Sequence, residues 1–320
     1  MRRRDLLVLL AAGASLPRAA LAQAAKIYRI GVLVVGARDP APFVSTFQDG
    51  LNELGYRDGQ NIAIVLRSAE GNLARLAPLA VELVGLGIDI LVASETPAVE
   101  AAKRATTDIP IVMAPAGDPV GSGLITSLSR PGGNITGLSN ATAEAAGKSV
   151  DLLREAVPSA SRFAALCSST NIFTRSFLEQ VQSAGRTLGI EIVPVAIAGN
   201  QELDAAFAKM AADRIGAVIV QPSLPVERAA ALASTHRLPA ASATRQFADA
   251  GGLLSYNGRQ DDSYRRAADF VDRIIKGGKP ADLPVMQPTK FELVINLKTA
   301  AALGIRMPPT LLARADDLLE

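Results

Sequence analysis

From residue 30 onward, short and nearly unbroken apolar runs alternate with longer stretches whose apolar residues recur every three or four positions. The runs at 30–35, 62–66, 88–93, 109–114 and 135–138 lack the in–out alternation of a half-exposed strand. They read as parallel strands buried on both faces. The stretches 41–54, 73–86 and 97–105 between them carry helical spacing. Gly55 and Gly87 follow two of these stretches, where C-terminal caps are expected. Thr96 is suited to the N-cap of the third and Pro97 to its first turn. Strand and helix alternating in this way predict an α/β fold with a doubly wound sheet.

The pattern then begins again. A helix at about 144–156 leads into a strand at 162–167, followed by a helix at 172–188, a strand at 191–196 and a helix at 201–212. A strand at 217–221, a helix at 225–236 and short strands at 239–242 and 252–256 complete a second unit of similar size. The architecture repeats without a sequence repeat. The join at 138–143 is short, polar and built of small residues, so it reads as a hinge crossing. The tail holds one amphipathic helix at 261–276, closed by Gly277-Gly278, an extended stretch at 283–288, and a strand passing into a helix over 292–303. These read as elements added back to each unit. The division expected is a first lobe of 26–140 with about 257–287, and a second of 141–256 with about 288–320.

The first 22 residues have another logic. Three arginines open the chain, an apolar stretch runs from Leu6 to Leu16, and Ala20-Leu21-Ala22 offers a small-x-small cleavage site before Gln23. That order is a secretory signal peptide, for Sec or, through Arg3-Arg4, for twin-arginine export. It also changes the charge. The full chain has 33 basic and 31 acidic residues; the leader holds Arg2, Arg3, Arg4 and Arg18 against Asp5, which leaves 29 against 30 and a net charge of −1. The basic excess belongs to the leader, so no nucleic-acid partner is expected. With one cysteine, Cys167, there is no internal disulfide and no lipid anchor at the cleavage site. Cys167 ends an apolar run and reads as a small buried hydrophobe. A monomer in the periplasm is the expectation. Aromatics make up 4% of the chain and Trp is missing, so the core rests on Ala, Leu, Val and Ile.

Candidate chemistry gathers where strands give way to helices. Ser94-Glu95-Thr96-Pro97 and Ala116-Gly117-Asp118-Pro119 each place a capping side chain before a proline, and Ser168–Asn171 and Gln221–Pro225 do similar work in the second half. Open α/β sheets bind ligands outside the carboxyl ends of their strands, and helix N-termini there favour electronegative groups. Each such residue also serves as a cap. Glu95 and Asp118 are candidate paired carboxylates; Asp118 is suited to holding a ligand ammonium or capping a helix. Enzyme signatures do not accumulate: there is no G-x-G-x-x-G, Walker lysine or G-x-S-x-G, and the one histidine, His236, sits at a helix end. No cofactor and no metal are expected. A periplasmic enzyme, a sensory ligand-binding protein and a repressor core remain the alternatives, the last disfavoured by the leader.

Several stretches resemble the periplasmic substrate-binding proteins of ABC transporters, in the group that includes tryptophan- and tyrosine-type binders. They are FQDGLNELGY at 47–56, IPIV at 109–112, GDPVGSGL at 117–124, RPGGNITGLS at 130–139 and PTKFELVINLKTA at 288–300. The resemblance implies a type I binding-protein fold: two Rossmann-like lobes joined by three crossings, with a small polar or amino-acid-like ligand clamped between them. It implies a permease and an ATPase as partners, encoded elsewhere. Carried over by position, it implies a site of Ser94, Thr96 and Asp118 from the first lobe, and Ser139 and Asn140 at the first crossing. Ser168, Asn171 and Gln221 come from the second lobe, and Tyr256 and Asn257 lie near the second crossing. A ligand carboxylate would then meet Ser94–Thr96, its ammonium Asp118, and its side chain the Tyr256 ring. The loop Cys167–Phe173 departs from the Asn-Pro loop such proteins often carry.

Overall fold

A computed structural model of the protein describes residues 26–36, 41–258 and 261–320. The leader, 1–22, lies outside these residues. Five parallel strands make the first sheet: β1 (Tyr28–Val34), β2 (Ile62–Ser68), β3 (Ile90–Ser94), β4 (Ile111–Ala116) and β5 (Ile135–Ser139), in the order β2-β1-β3-β4-β5. The alternation of β3 decides which helices cover which face. Ile90 and Val92 share a core with Phe43, Phe47 and Leu51 of α1 (Ala41–Glu53). Leu91 and Ala93 point the other way, to Leu76, Ala80 and Leu83 of α2 (Leu76–Gly85) and to Ala98, Val99 and Ala102 of α3 (Thr96–Ala105). Both faces are covered, which is why the strand reads as an unbroken apolar run.

The second sheet repeats the plan with β6 (Arg162–Ser168), β7 (Glu191–Ile197), β8 (Ala217–Val220), β9 (Ala240–Ser242), β10 (Leu254–Gly258), β11 (Phe291–Asn296) and β12 (Asp317–Leu319). Its order is β12-β11-β10-β9-β8-β6-β7. Helices α4 (Thr142–Ala156) and α5 (Thr174–Leu188) cover one face through Val150, Leu153, Phe177 and Val181. Helices α6 (Leu203–Ala212), α7 (Val226–Thr235) and α8 (Arg245–Asp249) cover the other, through Phe207, Met210, Ala229, Ala230 and Phe247. Cys167 is fully buried in the first of these cores.

The chain passes between the sheets after β5, through Asn140 and Ala141, and again after β10. There α9 (Asp261–Ile275) returns to the first sheet, where Ala267, Ala268, Phe270 and Val271 share the core of α1. The extended stretch expected at 283–288 runs beside β5: the Met286 amide donates to Gly137 O at 3.0 Å and the Ser139 amide to Met286 O at 2.8 Å. Leu138 and Met286 form a parallel bridge, so this stretch heads toward the second lobe and enters it at the tips of its strands. That entry explains why β11 pairs with β10 antiparallel, Gly258 opposite Phe291, although every other pair is parallel. The sequence pattern did not predict this reversal. It also did not predict α8 or the tail's last two elements, α11 (Pro309–Leu312) and β12, which follow α10 (Leu297–Leu303).

Gly50 sets how closely α9 lies on α1. A Cβ there would come within 2.7 Å of the Arg265 carbonyl oxygen and 3.0 Å of the Ala268 Cβ. Gly50→Ala should destabilise the protein by about 1–3 kcal/mol through overpacking. Gly85→Ala, at a position with nothing within 4 Å, should be neutral or slightly stabilising. Urea denaturation of the two variants checks the claim; equal midpoints would remove Gly50 from the contact.

Candidate ligand-binding site

In the first sheet the strand order reverses between β1 and β3, and in the second between β6 and β8. At such a point the connections leave to opposite faces and open a crevice at the strand tips. The two crevices face one another and enclose a cleft of about 440 Å³. Val34, Gly36 and Ser94–Pro97 line it from the first lobe, and Asn171, Phe173, Pro222, Ser223 and Thr244 from the second. Phe43 of α1 and Tyr264 of α9 add an aromatic wall, their ring centroids 4.8 Å apart and 75° between planes. The only charged side chains among the described lining residues are Glu95 and Glu227.

Glu95 joins β3 to α3 with φ 72° and ψ 149°, a conformation that glycine takes and other residues adopt at a cost of about 1–3 kcal/mol. Its backbone is fixed on both sides: the amide donates to Pro115 O at 2.9 Å, and the carbonyl accepts the Ala98 and Val99 amides at 3.1 Å each. The side chain is open to water through the cleft but crowded by protein. That desolvation raises the carboxyl from an ordinary 4.5 to about 7. Thr96 is the first residue of α3 and not its cap; Glu95 holds the cap position and makes no side-chain cap bond.

Four of the ten residues expected at the site line the cleft: Ser94, Thr96, Asn140 and Asn171. Thr96 Oγ1 accepts the Gly117 amide at 3.0 Å, tying the tip of β3 to that of β4. Asn140 Oδ1 accepts from the Thr142 hydroxyl. Asn171 is 5% exposed; its Oδ1 accepts the Phe173 amide at 2.9 Å, while its Nδ2 is buried with no hydrogen-bond partner. The Ser223 hydroxyl, from the wall opened by β8, is in the same condition.

The other six stand outside the lining. Asp118 Oδ1 accepts the Gly121 amide at 2.9 Å, and the chain beyond it runs in consecutive turns where a helix was anticipated. Asp118 thus caps a turn at the edge between the lobes. Ser139 Oγ accepts the Ala141 amide at 3.3 Å, holding the first crossing. Ser168 Oγ pairs with Thr170 Oγ1 at 3.1 Å. Gln221, fully buried, braces the second crevice: Oε1 accepts the Ser168 amide at 2.8 Å and Nε2 donates to Thr174 Oγ1 at 3.0 Å. Tyr256 stacks on Phe291, 5.4 Å between centroids, and Asn257 Nδ2 donates to Gly258 O at 3.0 Å. These bonds position loops and crossings, and Asn257 Oδ1 is buried with no hydrogen-bond partner.

Two contacts join the lobes beside the cleft. The Phe173 ring lies against Gly117, where a Cβ would fall 2.8 Å from it. Arg175 Nη2 donates to Gly121 O at 2.5 Å. The remaining candidates lie elsewhere. His236 stacks on Phe207 at the end of α7, and burial pushes the Cys167 thiol up to about 11, leaving it unreactive. Among the described residues no three His, Cys, Asp or Glu side chains gather to hold a metal, and no helix is long and apolar enough to cross a membrane. The sequence offers Glu95 as one of two paired carboxylates and Ser223 as a cap. It has no signal for Phe43 and Tyr264, which are far apart in the chain and meet only because α9 returns to α1.

A tyrosine-binding protein from Clostridioides difficile (strain R20291) is 24% identical over 269 residues, 81% of this chain and 76% of that protein. The crystal structure of an ABC domain in complex with L-Trp from Streptococcus pneumonia superposes with a TM-score of 0.85 at 28% identity, over 92% of this chain and 100% of the other. A conserved domain protein from Vibrio cholerae O1 biovar eltor gives the same TM-score of 0.85 at 27% identity, over 92% and 100%. Residues 30–319 match the family of ABC transporter substrate binding proteins, and the chain, with its two facing lobes and the cleft between them, belongs to that family.

Proposed function

We propose that the protein is the periplasmic solute receptor of an ABC importer, working as a monomer, and that it takes an amino acid with an aromatic or branched side chain. The observation that carries this reading is the meeting of two strand-reversal crevices around one cleft of about 440 Å³, a volume within the ~300–1,000 Å³ of small-molecule sites. Phe43, Tyr264 and Phe173 supply apolar surface for a flat or branched body. Ser94, Asn140, Asn171 and Ser223 supply neutral polar groups. The tyrosine-binding and L-Trp-bound relatives point to the same ligand class.

Function follows from closure. A ligand that touches both walls favours the conformation in which both are near, by the difference in its free energy of interaction with the two states. The Arg175–Gly121 bond and the Phe173–Gly117 contact belong to that closed state and add to it. A permease that recognises the closed pair of lobes then receives loaded receptor in preference to empty. Residues 1–22, as a signal peptide, would deliver the chain to the compartment where the permease presents its outer face.

A thermal-shift screen of the common amino acids, followed by titration calorimetry and small-angle scattering, tests the reading. L-tryptophan, L-tyrosine or a branched-chain amino acid should raise the melting temperature and reduce the radius of gyration; no shift with any of them would sink it. Arg175→Ala should weaken every ligand alike, by roughly fivefold, the loss of about 1 kcal/mol of closed-state hydrogen bonding. Glu95→Gly should relieve the backbone strain, raising the ligand-free melting temperature by roughly 2 °C while weakening ligand binding. A melting temperature that fell would show that Glu95 stabilises the fold.

A further inference from the structure

An amino acid has two unlike ends, and the walls of the cleft differ in what they leave unsatisfied. On the first-lobe wall the unused group is an acceptor. Glu95 carries its carboxylate into the cleft, and no Lys, Arg or His is among the described lining residues to pair with it. On the second-lobe wall Glu227 is exposed, and the buried groups left unused can donate. Asn171 Nδ2 and Ser223 Oγ are both buried without a partner. Asn171 cannot reverse its amide to cure this, because its Oδ1 is engaged by the Phe173 amide at 2.9 Å. A buried donor without an acceptor is unfavourable, and a group entering the cleft is what can satisfy it.

We propose that the ligand lies across the cleft with one polarity, its ammonium on the Glu95 carboxylate of the first lobe and its carboxylate on Asn171 Nδ2 and Ser223 Oγ of the second. The assignment rests on the amino-acid reading above and deepens it. It reverses the placement that position alone implied, with the carboxylate at Ser94–Thr96 and the ammonium at Asp118. Asp118 does not line the cleft, and its Oδ1 is taken by the Gly121 amide. Glu227, in the first turn of α7, is exposed as Glu95 is, and the polarity of its wall is assigned from the buried Asn171 Nδ2 and Ser223 Oγ. Recognition of both ends makes the receptor selective for the intact amino acid over its amine or its acid, since each lacks the group one lobe requires.

The elevated carboxyl supports the same assignment. Crowding by protein raises Glu95 although its side chain is exposed to the cleft, and the other titratable side chains among the described lining residues are Glu227 and Tyr264. A ligand ammonium favours the ionised form, so binding below pH 7 must expel a proton. Affinity should therefore weaken as pH falls below about 7, by up to roughly tenfold per pH unit, and Glu95→Gln should flatten the profile.

The test is a grid of variants against ligands in titration calorimetry. The ligands are L-tryptophan, tryptamine and indole-3-lactate, with L-tyrosine and its own amine and hydroxy acid in parallel. Glu95→Gln keeps shape and removes charge; Asn171→Asp keeps the acceptor for Phe173 and removes the donor. Glu95→Gln should weaken the amino acid roughly 10- to 100-fold and leave the hydroxy acid unchanged. Asn171→Asp should weaken the amino acid by a similar factor and leave the amine unchanged or bound more tightly, since the new carboxylate attracts a cation. Ser223→Ala should follow Asn171→Asp with a smaller effect. The opposite pairing of variants with ligands, or equal losses for all three ligands, would overturn the polarity while leaving the amino-acid reading intact. If the wild type binds none of the ligands, the amino-acid reading falls and this assignment falls with it.

Discussion

The structure depends on one constraint: the tips of two parallel sheets must face each other. A parallel sheet sends every strand–helix connection to the same edge, so each lobe gathers its helix N-termini, capping side chains and irregular loops there. One lobe alone would present that edge to solvent. Here the chain leaves the first sheet at the tip of β5, leaves the second at the tip of β10, and returns along Met286 toward β11. All three passages lie at the same edges, so they hold the two tips in register around the cleft. The antiparallel β11 is a consequence, because a strand entered from the cleft can only run away from it.

Within that frame the polar residues divide by whether their hydrogen bonds are already made. Gln221 is fully buried and uses both ends of its amide, between the Ser168 amide and the Thr174 hydroxyl. Removing it would loosen the loop that carries Asn171. Thr96 does comparable work between β3 and β4. These residues position the site. Glu95, Asn171 and Ser223 keep groups in reserve, and Glu95 does so on a backbone whose strain is held in place by Pro115, Ala98 and Val99. A strained junction fixed from both sides fits a residue that must point in one direction with or without ligand.

Most of the fold was legible in the sequence because the signal is periodic. Leu91 and Ala93 against Ile90 and Val92 serve two helical layers, and a run apolar at every position is the one pattern that does so. Helix α9 was legible for the same reason. The elements that escaped, α8, α11 and β12, span five, four and three residues, too short for a period to show. The orientation of β11 escaped because it is set by where the chain comes from, which no local pattern records. The residues of the site were legible only as a neighbourhood. Ser94, Thr96, Asn140 and Asn171 line the cleft because strand tips generally do, but Tyr264 reaches it through the packing of α9 on α1 at Gly50.

The proposed placement of the ammonium on Glu95 and not on Asp118 has a physical basis in this chain. Asp118 and Glu95 sit at equivalent junctions, each one residue or two past a strand and close before a proline. Sequence alone ranks them by type, and an aspartate before a proline looks like a ready carboxylate. Hydrogen bonding ranks them differently. Asp118 closes a turn on the Gly121 amide and stands outside the cleft lining. Glu95 is one methylene longer, which lets its carboxylate clear its own backbone and project into the cleft, where no cation is among the described lining residues. Net hydrogen-bond energies are about 1 kcal/mol when a partner is exchanged but larger when a buried group gains its first partner. On the proposed reading the ligand meets the unmatched groups that line the cleft, Asn171 Nδ2 and Ser223 Oγ with the Glu95 carboxylate, and not those of Ser122, Ser176, Ser255 and Asn257, which stand outside it.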